Sequence, residues 1–181
     1  MSKTRAAAAK ALTSSHFELF GLPARFSLDL ERLDRAYRDI QAQVHPDKFA
    51  HAGDAERRAT MQMTTRVNEA YRALKDPLRR AIHLLELNGV DVAFETDTAM
   101  PREFLMEQME IRERLEESKS APDLDLIRKS LSQQKSAIEK QIETEIDSQK
   151  NYENARTLVR KLMFFDRLAE EVDEAYETLE G

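Results

Sequence analysis

The chain contains no cysteine and no tryptophan, and only four of its 181 residues are glycine and five are proline. Without cysteine there is no disulfide framework, no thiolate nucleophile and no cysteine-held zinc or iron-sulfur cluster on this polypeptide, so histidine and carboxylate are the metal ligands left to consider. Scarce glycine and proline leave little turn chemistry, and no segment alternates apolar and polar residues as a half-buried strand does; long helices must dominate. No run approaches the ~20 apolar residues of a membrane span. Ala6 to Ala9 is cut short by Lys10, too brief for a secretory core, and residues 1–13 read as a disordered tail ahead of a soluble protein. Net positive charge is lacking as well. The balance of 28 basic and 34 acidic residues is −6, which gives no global basic field for nucleic acid, and Arg57-Arg58 and Arg79-Arg80 have acidic neighbours.

What is present is a set of amphipathic segments. A hydrophobic share of 41% supports a real core, and the length suits two small domains. His16 to Phe20 reads as one or two helical turns stopped by Gly21 and Pro23. Ser27 is a candidate N-cap for a helix with Leu30, Leu33, Tyr37, Ile40 and Val44 on one stripe. A second helix, restarted at Gly53-Asp54 and broken by Asp76-Pro77, puts Ala59, Met63, Val67, Ala70 and Leu74 on one face. The two should pack antiparallel, with Phe17, Phe20 and Phe49 plugging the open ends. Leu78 to Leu87 is a further helix, with Ile82, Leu84, Leu85 and Leu87 apolar and Asn88-Gly89 as its stop. Residues 14–89 thus form a first domain and 90–100 a connector. Residues 101–181 form a three-helix antiparallel bundle whose last break, near Gln149-Lys150-Asn151, holds neither glycine nor proline. The fold class is all-α.

Between the two long helices of the first domain stands Gln43-Val44-His45-Pro46-Asp47-Lys48-Phe49. Pro46 lacks an amide proton and biases the preceding residue toward extended geometry, so the first helix ends there and His45 and Asp47 are displayed at a corner. Histidine, aspartate and lysine side by side suit a protein contact better than a packed interior. A metal or acid-base site built from His45, His51 and Asp47 or Asp54 is the enzymatic alternative, but Pro46 and Ala50-His51-Ala52-Gly53 offer no fixed supporting shell. Nothing in the sequence converges on His16 or His83, which read as structural or surface groups.

The helix after Pro101 is apolar on two sides. At roughly 100° per residue, Phe104, Gln108, Ile111 and Leu115 fall on one side, which enters the core, whereas Leu105, Met106 and Met109 fall opposite it beside Glu110 and Glu113. Three apolar side chains in an acidic frame mark a binding patch, and methionine adapts its shape to a partner. Phe164 lies roughly a third of a turn off the Leu158-Leu162-Phe165 stripe and reads as a second exposed contact.

Residues 27 to 75 resemble the J-domain family: Ala36-Tyr37-Arg38 in the first helix, the His45-Pro46-Asp47 turn, Asn68-Glu69-Ala70-Tyr71 and Leu74 in the second, then Asp76-Pro77. Leu19-Phe20-Gly21-Leu22-Pro23, Phe49, Phe104-Leu105-Met106-Glu107-Gln108 and Arg160-Lys161-Leu162 resemble the HscB family of iron-sulfur co-chaperones, with a likeness running from His16 to Leu179. The resemblance implies a cytoplasmic bacterial adaptor without cofactor, metal or catalytic residue. In it His45, Pro46, Asp47 and Arg38 engage a DnaK-type chaperone, HscA, and stimulate its ATP hydrolysis. Leu105, Met106, Met109, Glu110, Glu113 and Phe164 bind the cluster scaffold, IscU. Two features depart from the pattern. Met109 stands where leucine is common, a volume-conserving change, and Arg32, Arg35 and Arg38 are interleaved with Asp29, Glu31, Asp34 and Asp39 where general J domains are strongly basic. A general J-domain co-chaperone with another client is the alternative.

Overall fold

A computed structural model describes residues 14–44, 53–92 and 100–180. The described residues contain helices and turns and no strand. The chain divides into two compact units, Met1–Leu87 and Asn88–Gly181.

In the first unit, α1 (His16–Leu19) is fixed by a reciprocal cap. Glu18 N–H donates to Ser15 Oγ and Ser15 N–H to Glu18 Oε2, at 3.2 and 2.8 Å, which satisfies two otherwise orphaned donors. Gly21, at φ +61°, turns the chain away. Helix α2 (Leu30–Gln43) is capped by Asp29, which accepts from Arg32 N–H at 2.9 Å, rather than by Ser27. Leu30 consequently occupies the first helical position and is exposed, not part of the buried stripe. Helix α3 (Asp54–Lys75) lies antiparallel to α2, since Asp34 meets Lys75 while Gln41 meets Asn68. Asp76 ends α3 and accepts from Arg79 N–H at the start of α4 (Pro77–Leu87). The core is Phe17, Phe20, Leu33, Val67, Ala70, Leu74, Leu84 and Leu85; Ala81 joins it, while Leu87 is exposed. Phe49 lies outside the described residues. Arg80 is buried, with its guanidinium over the Phe26 ring and bonded to Leu74 O at 2.6 Å.

In the second unit, α5 (Arg102–Glu117), α6 (Ala121–Glu143) and α7 (Tyr152–Glu180) form the three-helix bundle. Pairing of Arg128 with Asp173 and of Lys135 with Asp166 runs α6 antiparallel to α7, whereas Phe104 against Phe165 and Arg112 against Glu171 run α5 parallel to α7. Phe104, Ile111, Ile127, Leu131, Phe165, Leu168 and Val172 make the shared core. The break without glycine or proline is made by a π-helical segment (Thr144–Gln149) followed by Lys150 in the left-handed region, φ 56°. Asn151 N–H then closes the turn on Glu145 O at 2.9 Å, and Asn151 Oδ1 accepts from Asn154 N–H to start α7.

His16 and His83, 67 residues apart, do converge. Their rings stack at 3.9 Å and His16 N–H donates to His83 Nε2 at 3.2 Å. Burial, followed by the neighbouring His83 and Arg66, lowers the His16 pKa from 6.5 to about 4; burial lowers His83 also, against the opposing pull of Glu86. The unfolded chain therefore takes up these protons first. The contribution of a neutral His16 is complete above pH 6.5 and is lost as pH falls from there toward about 4. His16→Phe keeps the stack and the main-chain bond but not the titration. Its Tm should fall less steeply than the parent's between about pH 7 and about pH 4.5, and parallel curves would contradict the assignment.

Candidate functional site

Two places carry candidate residues, one in each unit. His45, Pro46 and Asp47 lie outside the described residues, as does His51. What is described is the frame on either side of them. Tyr37 Oη donates to Asn68 Oδ1 at 3.0 Å, and Gln41 Nε2 donates to both, at 2.9 Å to Tyr37 Oη and 2.6 Å to Asn68 Oδ1. Tyr37 also stacks on Tyr71 at 4.0 Å. One turn or two further from the corner, Lys75 Nζ and Tyr71 Oη both donate to Asp34. The bond from Lys75, then that from Tyr71, holds the Asp34 carboxyl below the usual aspartate value. These cross-links fix the spacing of α2 and α3, the two helices that lead into and out of the turn. Arg38 is exposed on α2. Sequence spacing could place Tyr37 and Asn68 on facing stripes but not show that they bond.

The second place is α5. Phe104, Gln108 and Ile111 are buried on one side, and Leu105, Met106 and Met109 stand out on the other at 39, 51 and 61% exposure. Glu110 and Glu113 are exposed with them. Phe164 is half-buried rather than exposed: its ring meets Phe104 edge-on at 5.6 Å, and Phe104 in turn meets Phe165 edge-on at 5.8 Å. Edge-to-face contact of this kind adds about 0.5–1.5 kcal/mol beyond area burial. A third group, given no role by the sequence pattern, joins them. Lys161, one turn before Phe164, holds its ammonium 5.5 Å from the centre of the Phe104 ring. The helix is pinned farther along by Arg112, whose Nε and Nη2 donate to the Glu171 carboxylate at 3.0 and 3.2 Å. Helix α5 therefore presents its apolar residues from a fastened position.

Among the described residues no cluster of three or more histidine, aspartate or glutamate side chains could hold a metal ion, and no helix is long and apolar enough to cross a membrane. Asp54, one of the alternative acid-base candidates, is paired with Arg57.

Residues 15–83 match the DnaJ domain and residues 100–173 the HSCB C-terminal oligomerisation domain. The chain is 50% identical over 172 residues to the co-chaperone protein HscB homolog of Burkholderia multivorans, covering 93% of this chain and 98% of that one. It belongs to the HscB family. Among solved structures, chaperone HscB from Vibrio cholerae superposes with a TM-score of 0.81 at 35% identity, over 92% of this chain and 99% of that one. Human co-chaperone protein HscB gives 0.86 at 30% identity, over 90% and 82%. As an HscB-family member the chain is a J-domain co-chaperone and not an enzyme, with an all-helical C-terminal domain after the J domain.

Burial separates structural from surface roles on α5. Phe104→Ala should cost about 3–5 kcal/mol of stability, whereas Met109→Ala should stay within about 0.5 kcal/mol of the parent. Denaturant titration measures both, and a large loss for Met109→Ala would place that residue in the core.

Proposed function

We propose that this HscB-family protein delivers the iron-sulfur cluster scaffold IscU to a dedicated DnaK-type chaperone, HscA, and stimulates that chaperone's ATP hydrolysis, in the cytoplasm of a bacterium. The observation that carries the reading is the apolar group Leu105, Met106 and Met109, exposed on the side of α5 opposite its buried face, in a chain whose other unit matches the DnaJ domain. A J domain engages the machine; a separate apolar surface gives it a client. His45, Pro46 and Asp47, with Arg38, contact the ATP-bound chaperone, and hydrolysis takes place on that partner. Leu105, Met106, Met109, Glu110, Glu113 and Phe164 hold the scaffold. The adaptor brings no cofactor or metal of its own and needs neither nucleic acid nor membrane.

The gain is one of proximity. Holding both partners on one chain raises the scaffold's local concentration near the chaperone, to the order of mM for a linkage of suitable reach. Interleaving of Arg32, Arg35 and Arg38 with acids weakens steering toward chaperones in general, which suits a dedicated partner. The residues 14–89, 90–100 and 101–181 serve as chaperone-binding domain, connector and scaffold-binding bundle.

Separation of function tests this reading. Asp47→Asn should abolish ATPase stimulation while scaffold affinity, measured by calorimetry, is unchanged. The Leu105→Ser, Phe164→Ser double variant should do the reverse. Loss of both activities in either variant, or unchanged scaffold affinity in the double variant, would refute it.

A further inference from the structure

Of the three side chains that α5 buries, one is an amide. Gln108 stands between Phe104 and Ile111 on the inward side at 1% exposure, and neither its Oε1 nor its Nε2 has a hydrogen-bond partner. A carboxamide brings two donor hydrogens and an acceptor oxygen with two lone pairs, and taking these out of water unpaired opposes burial. At the same level of the bundle Gln134 of α6 donates Nε2 to Glu107 Oε1 at 3.1 Å, while its own Oε1 is buried without a partner. The seam along α5 therefore holds polar atoms that opening it to solvent would satisfy.

The other ties of α5 are few beside those of the α6–α7 pair. Its ion pair, Arg112 to Glu171, is half-exposed on both partners, where such pairs add little stability. Phe104 and Ile111, with Leu115 at the edge, are its apolar share of the common cluster. Helices α6 and α7 lie close together along most of their length, whereas α5 comes close to either at only a few places. Ile142, Ile146, Ala155 and Leu162 are buried in α6, α7 and the turn between them, outside the cluster that α5 joins, so that part of the pair does not depend on α5. At 16 residues α5 is barely longer than helices that are marginal in water on their own, and undocking it amounts to melting it.

We infer that α5 undocks and unfolds as a unit while α6 and α7 stay paired, and that the unpartnered amide of Gln108 sets how readily it does so. The docked state has the single orientation described above; the open state is a minor population in equilibrium with it. Because α5 carries Leu105, Met106 and Met109, each opening takes their surface apart. That consequence, and it alone, rests on the scaffold-binding reading: a bound scaffold holds α5 down, and an opened α5 lets the scaffold go.

Amide hydrogen exchange of the full chain, followed by mass spectrometry where the rate reports the opening equilibrium, tests this. Corrected for intrinsic rates, the central amides of α5 should exchange about tenfold or more faster than those around Ile142 and Leu162; a common rate overturns the inference. Ile142→Val, which weakens the α6–α7 pair away from α5, should speed exchange in α6 and α7 several-fold and leave α5 as it was. Equal acceleration in all three helices would mean that α5 opens only with the whole unit, and overturns it too. Gln108→Met keeps a side chain of the same length without the amide, so α5 should exchange about tenfold more slowly; Gln108→Leu should act in the same sense if the thioether packs poorly. Unchanged or faster exchange in both variants would show the amide to be satisfied in the docked state, by an internal water for instance, and overturns the inference. Purified cognate scaffold, added to about 100-fold above its Kd, should slow α5 exchange by a factor of about 100. Should the scaffold leave α5 unprotected while Gln108→Met protects it, the scaffold-binding reading fails and the opening stands.

Discussion

An α-helix in a small bundle can turn only one side to its neighbours, and in this chain that constraint decides which residues are left to meet other molecules. Helix α5 spends its inward side on Phe104, Gln108 and Ile111. Met106 and Met109, well round the helix from that side, and Leu105 at roughly a quarter turn from it, are left exposed. The edge-on rings of Phe104, Phe164 and Phe165 and the two bonds from Arg112 to Glu171 keep it so, because rolling α5 to bury the methionines would break both and expose a phenylalanine. Burying one such ring is worth roughly 1.5–3 kcal/mol, more than enough to hold the orientation. The surface follows from the core.

The same constraint operates in the first unit with polar groups added. Leu33, Val67, Ala70 and Leu74 bury one side each of α2 and α3, and the bonds among Tyr37, Gln41 and Asn68, with Asp34 to Tyr71 and Lys75 farther along, set how far apart the helices stand. Residues 44 and 53, on either side of positions 45–52, are thereby carried on helices held at a fixed spacing.

Periodicity made the helices and their buried sides legible, since the three-four spacing of Val67, Ala70 and Leu74, or of Phe104, Gln108 and Ile111, has one solution. The exposed group on α5 was legible for the same reason in reverse. Helix ends carry less signal: the pattern points to Ser27 as the cap, whereas the structure uses Asp29, two residues on, which moves Leu30 from stripe to surface. The break at Lys150 carries neither glycine nor proline because a lysine takes the left-handed position, in a turn closed locally by Asn151 N–H on Glu145 O. Helical angle alone puts Phe164 at the surface, because it does not register the ring of Phe104 that meets it edge-on and leaves it half-buried. The His16–His83 stack and Lys161 over Phe104 are contacts between elements, which no local pattern encodes.

Whether one chain couples a client to a chaperone is decided by the steady-state ATPase rate of the cognate DnaK-type chaperone, measured with this protein alone, with the scaffold alone and with both. Coupling predicts a rate with both present that far exceeds the sum of the separate increments, because the adaptor supplies the scaffold at high local concentration at the moment of stimulation. A rate equal to that sum would contradict the claim and leave a J-domain protein with no delivered client.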